Sequence, residues 1–214
     1  MFRLDHHMPR FRTGIGSSEL VTGAHPTPHF SLHIHSGTDV ARGRVETYIR
    51  DRYRARFGAH ITAWMPTLVS LQADGEILAA AGYRPATEVL FLERYLAAPV
   101  EQYMAEQGIS VSRKRVVEAG QFASVRPGAG RLLVPYLAKH LHDAGFEWSV
   151  CTLTGELHHL FSRMGLAHQP LSLARPDLLD AREKAQWGTY YDHAPQVFAG
   201  RLACIVSRFQ ESEA

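Results

Sequence analysis

One carboxylate, Glu118, stands among apolar and small residues in VVEAGQFASV (116–125), and that run leads straight into RPGAGRLL (126–133). A carboxyl group in an apolar setting holds its proton to higher pH than usual, which suits proton transfer near neutrality. On the solvated face of a strand the same glutamate would do no chemistry. The segment after it reads as a strand, a glycine turn and a helix. Free backbone N–H groups and the positive end of a helix dipole then converge on one spot, where an anion such as phosphate is held. Gly128 and Gly130 let a ligand approach the main chain, and Arg126 and Arg131 add positive charge. The turn has neither the GxxxxGK[ST] of a P-loop nor the third glycine of a dinucleotide fingerprint. By itself it is either a phosphate cradle or an ordinary structural turn.

Two further clusters carry chemistry-bearing side chains. Glu93 and Arg94 in LFLERYL (90–96), with Glu101 in PVEQ (99–102), are charged residues in apolar context that either bind a substrate's charges or pair with one another. Trp187, Tyr190, Tyr191, Asp192 and His193 crowd into seven residues, WGTYYDH (187–193), which either close over a small molecule or pack into the core. The thirteen histidines include HIH at 33/35, HLH at 140/142 and HH at 158/159. No carboxylate or cysteine spacing completes a metal set around them, so no metal is expected. Cys151 and Cys204 are too few for a disulfide framework; each lies in an apolar run and reads as a buried thiol in a strand.

The elements that position these residues follow from hydrophobic period and turn chemistry. FSLHIHS (30–36) alternates as a half-buried strand, and Val45, Tyr48, Ile49, Tyr53 and Phe57 recur at helical spacing after it. The opposite face of that helix, with Arg42, Glu46, Arg50 and Arg54, reads as solvated. Asp74-Gly75 joins the strands 66–73 and 76–84 as a hairpin. A short helix from Pro99 to Gly108, the strand 116–125 and the helix 127–145 follow. Then come the strand WSVCTL, the helix ELHHLFSRMG, a strand within LAHQPLSL, a short helix near 177–185 and a last strand over 197–209. Strands alternating with helices plus one early hairpin make an α/β fold with a mixed central sheet flanked by helices. Residues 1–28, rich in Gly, Pro, His, Ser and Thr, read as an extension, loose or packed on a single domain over 29–214.

Composition narrows the function. A chain of 214 residues that is 45% hydrophobic and 21% charged buries a real core. Its net charge of +2 gives no basis for nucleic-acid binding. The N-terminus has no apolar core of a secretory signal and no window approaches a membrane span. A cytoplasmic protein with at most peripheral membrane contact is expected.

The order of hairpin, strand, glycine turn, helix, strand and helix resembles the GNAT acyltransferase superfamily. Its donor turn reads roughly Arg/Gln-x-x-Gly-x-Gly followed by two aliphatics, matched here by Val125-Arg126-Pro127-Gly128-Ala129-Gly130 and Leu132-Leu133. Val125 departs from the first basic position. HHLFSRMGL matches a second signature, but Phe161 stands where many members place a tyrosine general acid. More narrowly, LFLERYLAAPVEQ (90–102), RVVEAGQFAS (115–124), the GAGRLL turn, TLTGELHHLFSRMGL (152–166) and WGTYYDHAPQVFAG (187–200) resemble the thermostable hemolysin family, which is similar to N-acyl amino acid synthases and acyl-homoserine-lactone synthases.

The resemblance implies an N-acyltransferase moving a fatty acyl group from acyl carrier protein or acyl-CoA to the amine of a small acceptor such as an amino acid. Direct attack in a ternary complex is implied, with no permanently bound cofactor and acyl-CoA or acyl-phosphopantetheine as co-substrate. The backbone of Phe122, Ala123, Ser124 and Val125 would pair with the pantetheine arm, and Arg126, Gly128, Ala129, Gly130 and Arg131 would cradle phosphate. Glu118 becomes the candidate base or amine anchor; Glu93, Arg94, Glu101 and the 187–193 loop become candidate acceptor contacts. Arg113, Lys114 and Arg115, ahead of the donor strand, would suit an acidic carrier protein. The family name carries a reading from a different class, a membrane-active lysin with no enzymatic activity.

Overall fold

A computed structural model describes residues 4–5, 29–125 and 128–210. Most of the extension read over 1–28, and Arg126 with Pro127, lie outside the described residues. The two-residue strand β1 (Leu4–Asp5) pairs with the start of β2 (Phe30–His35), Leu4 opposite Leu32. Helix α1 (Arg42–Phe57) follows, and Gly58 closes it in the left-handed conformation. Strands β3 (Thr67–Ala73) and β4 (Glu76–Pro85) form the hairpin, turning at Asp74-Gly75 with both residues at positive φ. After the single turn Leu92–Tyr95 and helix α2 (Val100–Glu106) comes β5 (Val116–Ser124), antiparallel to β4.

Helix α3 (Ala129–Asp143) leads to β6 (Trp148–Leu153), which runs parallel to β5. Helix α4 (Gly155–Arg163), β7 (Gln169–Leu173), helix α5 (Ala181–Gln186), β8 (Gln196–Arg201) and helix α6 (Leu202–Gln210) complete the described chain. The sheet has the order β1-β2-β3-β4-β5-β6-β8-β7, mixed and flanked by helices, the fold class read from the sequence.

The terminal strand read over 197–209 ends at Arg201, and the residues after it are helical. Leu202, Ile205, Val206 and Phe209 recur at helical spacing; Leu202 is buried, and Ile205 and Val206 pack with it against the cluster that α3 builds. The run VFAGRLACIVSRF stays apolar across the boundary at Arg201, where a strand passes directly into a helix, and so reads as one long strand. Cys204, on this helix, is exposed rather than buried; Cys151, in β6, is buried.

Alternation along the strands sorts the core. Val69 and Leu71 of β3, Ala79 and Ala81 of β4 and Val117 of β5 pack against Leu133, Leu137 and Leu141 of α3. Leu68 and Ala80 meet Val45, Ile49 and Tyr53 of α1 on the other face. Because side chains alternate along β5, Glu118 and Gly120 point away from α3, toward the side where α1 and the loop after it lie.

Candidate functional site

The strands β5 and β6 start as a parallel pair and then part. Their register holds for four pairs, from Val116↔Trp148 to Ala119↔Cys151, and stops. On its other side β5 stays with β4, but not regularly: Ala80 faces Ala123, Gly82 faces Gly120, and one residue of β4 is spanned by two of β5. This bulge is built on Gln121, whose φ of 54° is left-handed. Its side chain secures the crossing loop, accepting from the Met65 N–H at 3.3 Å and donating to the Ala63 carbonyl at 2.9 Å. Glycine is required beneath at position 82, where a Cβ would lie 2.8 Å from Met65 Cβ, whereas one on Gly120 would meet only the movable Met65 Cε, at 2.9 Å. Beyond Ala119, the edge of β5 that faces β6 has no strand partner among the described residues.

Two hollows flank this parting. A groove of about 460 Å³ runs along Phe122, Ala123 and Ser124 to Gly130, with Thr154, Leu157 and Phe161 of the β6–α4 side opposite and Arg52 and Arg56 of α1 above. Gly128, at φ 97°, caps α3; Ala129 and Gly130 open that helix, and Arg131 is exposed in its first turn. Val125 is exposed, its N–H on the Leu78 carbonyl at 3.3 Å. The second hollow, of about 180 Å³, has Arg84, Glu118, Gly120 and Gln121 along the sheet and Phe91, Arg94, Trp64, Trp187 and Tyr190 around it. Of the residues lining the two hollows, Tyr53 alone lines both.

Glu118 is buried at 3% exposure and accepts two backbone N–H bonds, from Phe91 at 2.9 Å and Leu92 at 3.0 Å. Burial raises its pKa; the two N–H groups and the charge of Arg84, its cross-strand partner, pull the other way. Glu118 thus anchors the 92–95 turn and, through it, places Phe91 and Arg94 at the cavity rim. Arg94 pairs with Glu183 at 2.5 Å and lies over the Phe91 ring at 4.6 Å.

The structure divides the remaining candidates. Glu93 and Glu101 do not join Arg94; both bind Arg113, at 2.5 and 2.7 Å, away from the cavity. Glu93 also accepts from the N–H groups of Leu90 and Val100, so it staples the loop before α2. Arg113 is spent there, and Lys114 and Arg115 sit beside it at the start of β5, the end remote from the groove. Within the 187–193 loop, Trp187 and Tyr190 line the cavity, and Tyr191 joins its hydroxyl to that of Tyr95. Asp192 is exposed, while His193 turns the other way, 3.3 Å from Glu156 and edge-on to Phe57. The loop is docked on α1 by the Thr189 N–H to Phe57 carbonyl bond, and Gly188 is required there, since its Cβ would fall 2.1 Å from the Phe57 oxygen.

Tyr53, Arg84, Gln121 and Thr152 were not legible as site residues. Tyr53 belongs to the apolar stripe of α1, Thr152 to the run WSVCTL, and Arg84 to a strand end. A lone hydroxyl or guanidinium inside an apolar strand was the available signal. Among the described residues no group of three or more His, Cys, Asp or Glu is placed to hold a metal, and no helix is long and apolar enough to cross a membrane.

Solved structures share this architecture. FeeM, an N-acyl amino acid synthase from uncultured soil microbes, superposes with a TM-score of 0.57 at 13% identity over 86% of this chain and 96% of its own. TofI in an apo form gives 0.57 at 14% identity, over 84% and 95%. MesI, a CoA-dependent acyl-homoserine lactone synthase, gives 0.53 at 14% identity, over 85% and 94%. At these identities the likeness is one of fold, the GNAT-like acyltransferase fold. No curated protein matches the chain by sequence. The family model described as thermostable hemolysin matches residues 35–205, which take in the parting strands, the groove and the cavity. The chain belongs to the thermostable hemolysin family.

Proposed function

We propose that the protein is an N-acyltransferase that moves a fatty acyl group from acyl carrier protein or acyl-CoA to the amine of a small acceptor, by direct attack in a ternary complex. The observation that carries this reading is the unpartnered edge of β5 between a donor-sized groove and a cavity floored by Glu118. An extended pantetheine arm adds to such an edge as a strand would. The backbone of Phe122, Ala123, Ser124 and Val125 takes the arm, and Gly128, Ala129, Gly130 and Arg131 at the α3 terminus face its phosphate. Arg52 reaches this groove from the apolar side of α1, as does Arg56, which is paired there with Glu156.

The acceptor enters from the cavity beside Arg94, Trp187 and Tyr190. Glu118, ionised, takes a proton from the acceptor's ammonium, using lone pairs not committed to Phe91 and Leu92. The free amine attacks the thioester carbonyl; a C–N bond forms and, as the tetrahedral intermediate collapses, the C–S bond breaks. The departing thiolate needs a proton, and Phe161 has none to give. Tyr53, at the boundary of both hollows and kept protonated by burial, supplies it and is recharged by the second proton of the attacking nitrogen. No acyl-enzyme forms: burial pushes the Cys151 thiol up to about 12, and Cys204 lies on the outer helix α6.

Incubating the purified protein with acyl-CoA or acyl carrier protein and pooled amines tests this reading. Thiol release matched by an N-acylated product in the mass spectrum is expected. Absence of thiol release with every donor, together with lysis of red cells in the absence of donor, would replace it with the lysin reading. A surfactant-like N-acyl product would reconcile the family name with the fold, and then lysis requires the donor.

A further inference from the structure

Buried polar atoms without partners are rare in folded proteins, and each one asks for a reason. Among the described residues, Arg84 Nε and Thr152 Oγ1 are buried side-chain atoms with no hydrogen-bond partner, and both residues line the cavity above Glu118. Arg84 is held rather than loose: one terminal nitrogen donates to the Val89 carbonyl at 2.9 Å. Its Nε lies 3.9 Å from a half-exposed Glu88 carboxylate, beyond hydrogen-bond reach. Thr152 is on β6, one residue past the last β5–β6 pair, where the strands part. Two unused donors, an N–H and an O–H, therefore belong to residues that line one small cavity whose rim is aromatic, and both are shielded from water.

The charges set the ligand's polarity. Arg84 is the cross-strand neighbour of Glu118, so a cation and a carboxylate lie side by side on the cavity floor. The other two charged residues lining it, Arg94 and Glu183, are already paired with each other. A molecule with both an ammonium and a carboxylate matches such a floor, the ammonium toward Glu118 and the carboxylate toward Arg84 and Thr152. Trp64, Phe91, Trp187 and Tyr190 leave apolar surface for a side chain.

We infer that Arg84 and Thr152 hold the carboxylate of the acceptor, which makes the acceptor a free α-amino acid with an apolar side chain and excludes simple amines. The inference rests on the transferase reading and narrows its acceptor. Sites built to bond a charged group reject analogues that lack it, because their own buried donors are then left unpaired.

The test compares L-leucine and L-phenylalanine with their primary amides and with isoamylamine and phenethylamine, using the full chain and a saturating acyl-CoA. The expected kcat/KM favours each amino acid over its amide on the order of 100-fold or more. Arg84→Gln should lose that preference by slowing only the carboxylate-bearing acceptors, and Thr152→Val should weaken it without changing the wild-type melting temperature appreciably. Equal rates for amino acids and amides, or an equal loss on all acceptors in Arg84→Gln, would overturn the assignment. Thermal stabilisation of the donor-free protein by the same six compounds separates this result from failure of the transferase reading. Amino acids should raise the melting temperature and amides should not, with or without turnover. No selective stabilisation, with no turnover, also overturns the carboxylate site.

Discussion

His35 Nε2 lies 2.9 Å from Ser70 Oγ, both residues inside the sheet, while His35 Nδ1 lies 2.7 Å from Asp39 Oδ2. Gln72 Nε2 donates to the same serine oxygen at 2.8 Å, which leaves the hydroxyl proton for His35 and the Nδ1 proton for Asp39. The arrangement has the connectivity of a hydrolase triad but not its access: Ser70 is 0% exposed and neither cavity reaches it. Its task is to fasten β2 and the start of α1 to β3. Ser70→Ala should therefore leave acyl transfer unchanged and cost about 1–3 kcal/mol in a denaturant titration, the penalty of an orphaned buried group. The Ala41 N–H, and then His35, hold Asp39 below its ordinary pKa of 3.8. A depressed carboxylate favours the fold above the unfolded value and loses that contribution as pH falls through the folded one. Asp39→Asn should flatten the stability curve below about pH 4.

Much of this frame was legible because local signals agreed with the global fold. Asp74-Gly75 fixed the hairpin, Gly145 and Gly165 ended helices at positive φ, and the strand–glycine turn–helix around Gly128 lies where it was read. The candidate site was legible only where a cavity-lining residue coincided with a local anomaly, such as Glu118 in an apolar run. Tyr53 escaped because a tyrosine at helical spacing packs like a leucine until one knows that it lines two hollows at once. Glu93 and Arg94, adjacent in sequence, serve opposite sides of one turn: Glu93 goes to Arg113 and Arg94 to Glu183. Sequence adjacency could not show that division, because a single turn sends neighbouring side chains to different faces.

Tyr53→Phe tests the proposed delivery of a proton to the leaving thiolate. Acyl-CoA turnover should fall by roughly 10²–10⁴-fold, the usual contribution of a general acid. With an aryl thioester, whose thiolate leaves without protonation, the variant and the wild type should react at similar rates. A loss that is the same for both donors would show that Tyr53 acts only through packing against Phe57, Trp187 and Tyr190.

Phe122 and Phe161 meet edge to face at 5.9 Å, and with Val134 they line both the groove proposed for the donor and an almost wholly apolar inner cavity of about 50 Å³. Small residues, among them Ala119, Ala138 and Gly200, leave that inner space. Phe161→Leu thins the partition while keeping the core filled. The distribution of acyl lengths in the product should shift to longer chains, each further buried methylene being worth about 0.8 kcal/mol, or roughly fourfold in kcat/KM. Competition between acyl-CoAs of graded length, read by mass spectrometry, measures it; an unmoved distribution would mean the chain lies elsewhere.

Glu118→Gln decides between the enzyme and the lysin. The amide removes the base, so transfer should fall at least about 100-fold, while direct lysis, if the protein has it, should persist. The substitution also sets an NH₂ group against one of the two backbone N–H donors of Phe91 and Leu92, at a cost of about 1–3 kcal/mol in stability. The pH dependence distinguishes these effects. Burial raises Glu118 above the ordinary 4.5, so the folded state keeps this proton longer than the unfolded chain. Its contribution to stability is then full below the unfolded pKa and is lost as pH rises through the folded one. Catalysis runs the opposite way, because only the ionised carboxylate accepts a proton, and the rate should climb through that same raised pKa. In Glu118→Gln the residual rate should lose this acidic limb. If the limb survives unchanged, Glu118 is the anchor of the Leu92–Tyr95 turn alone, and the base that frees the amine is a different group.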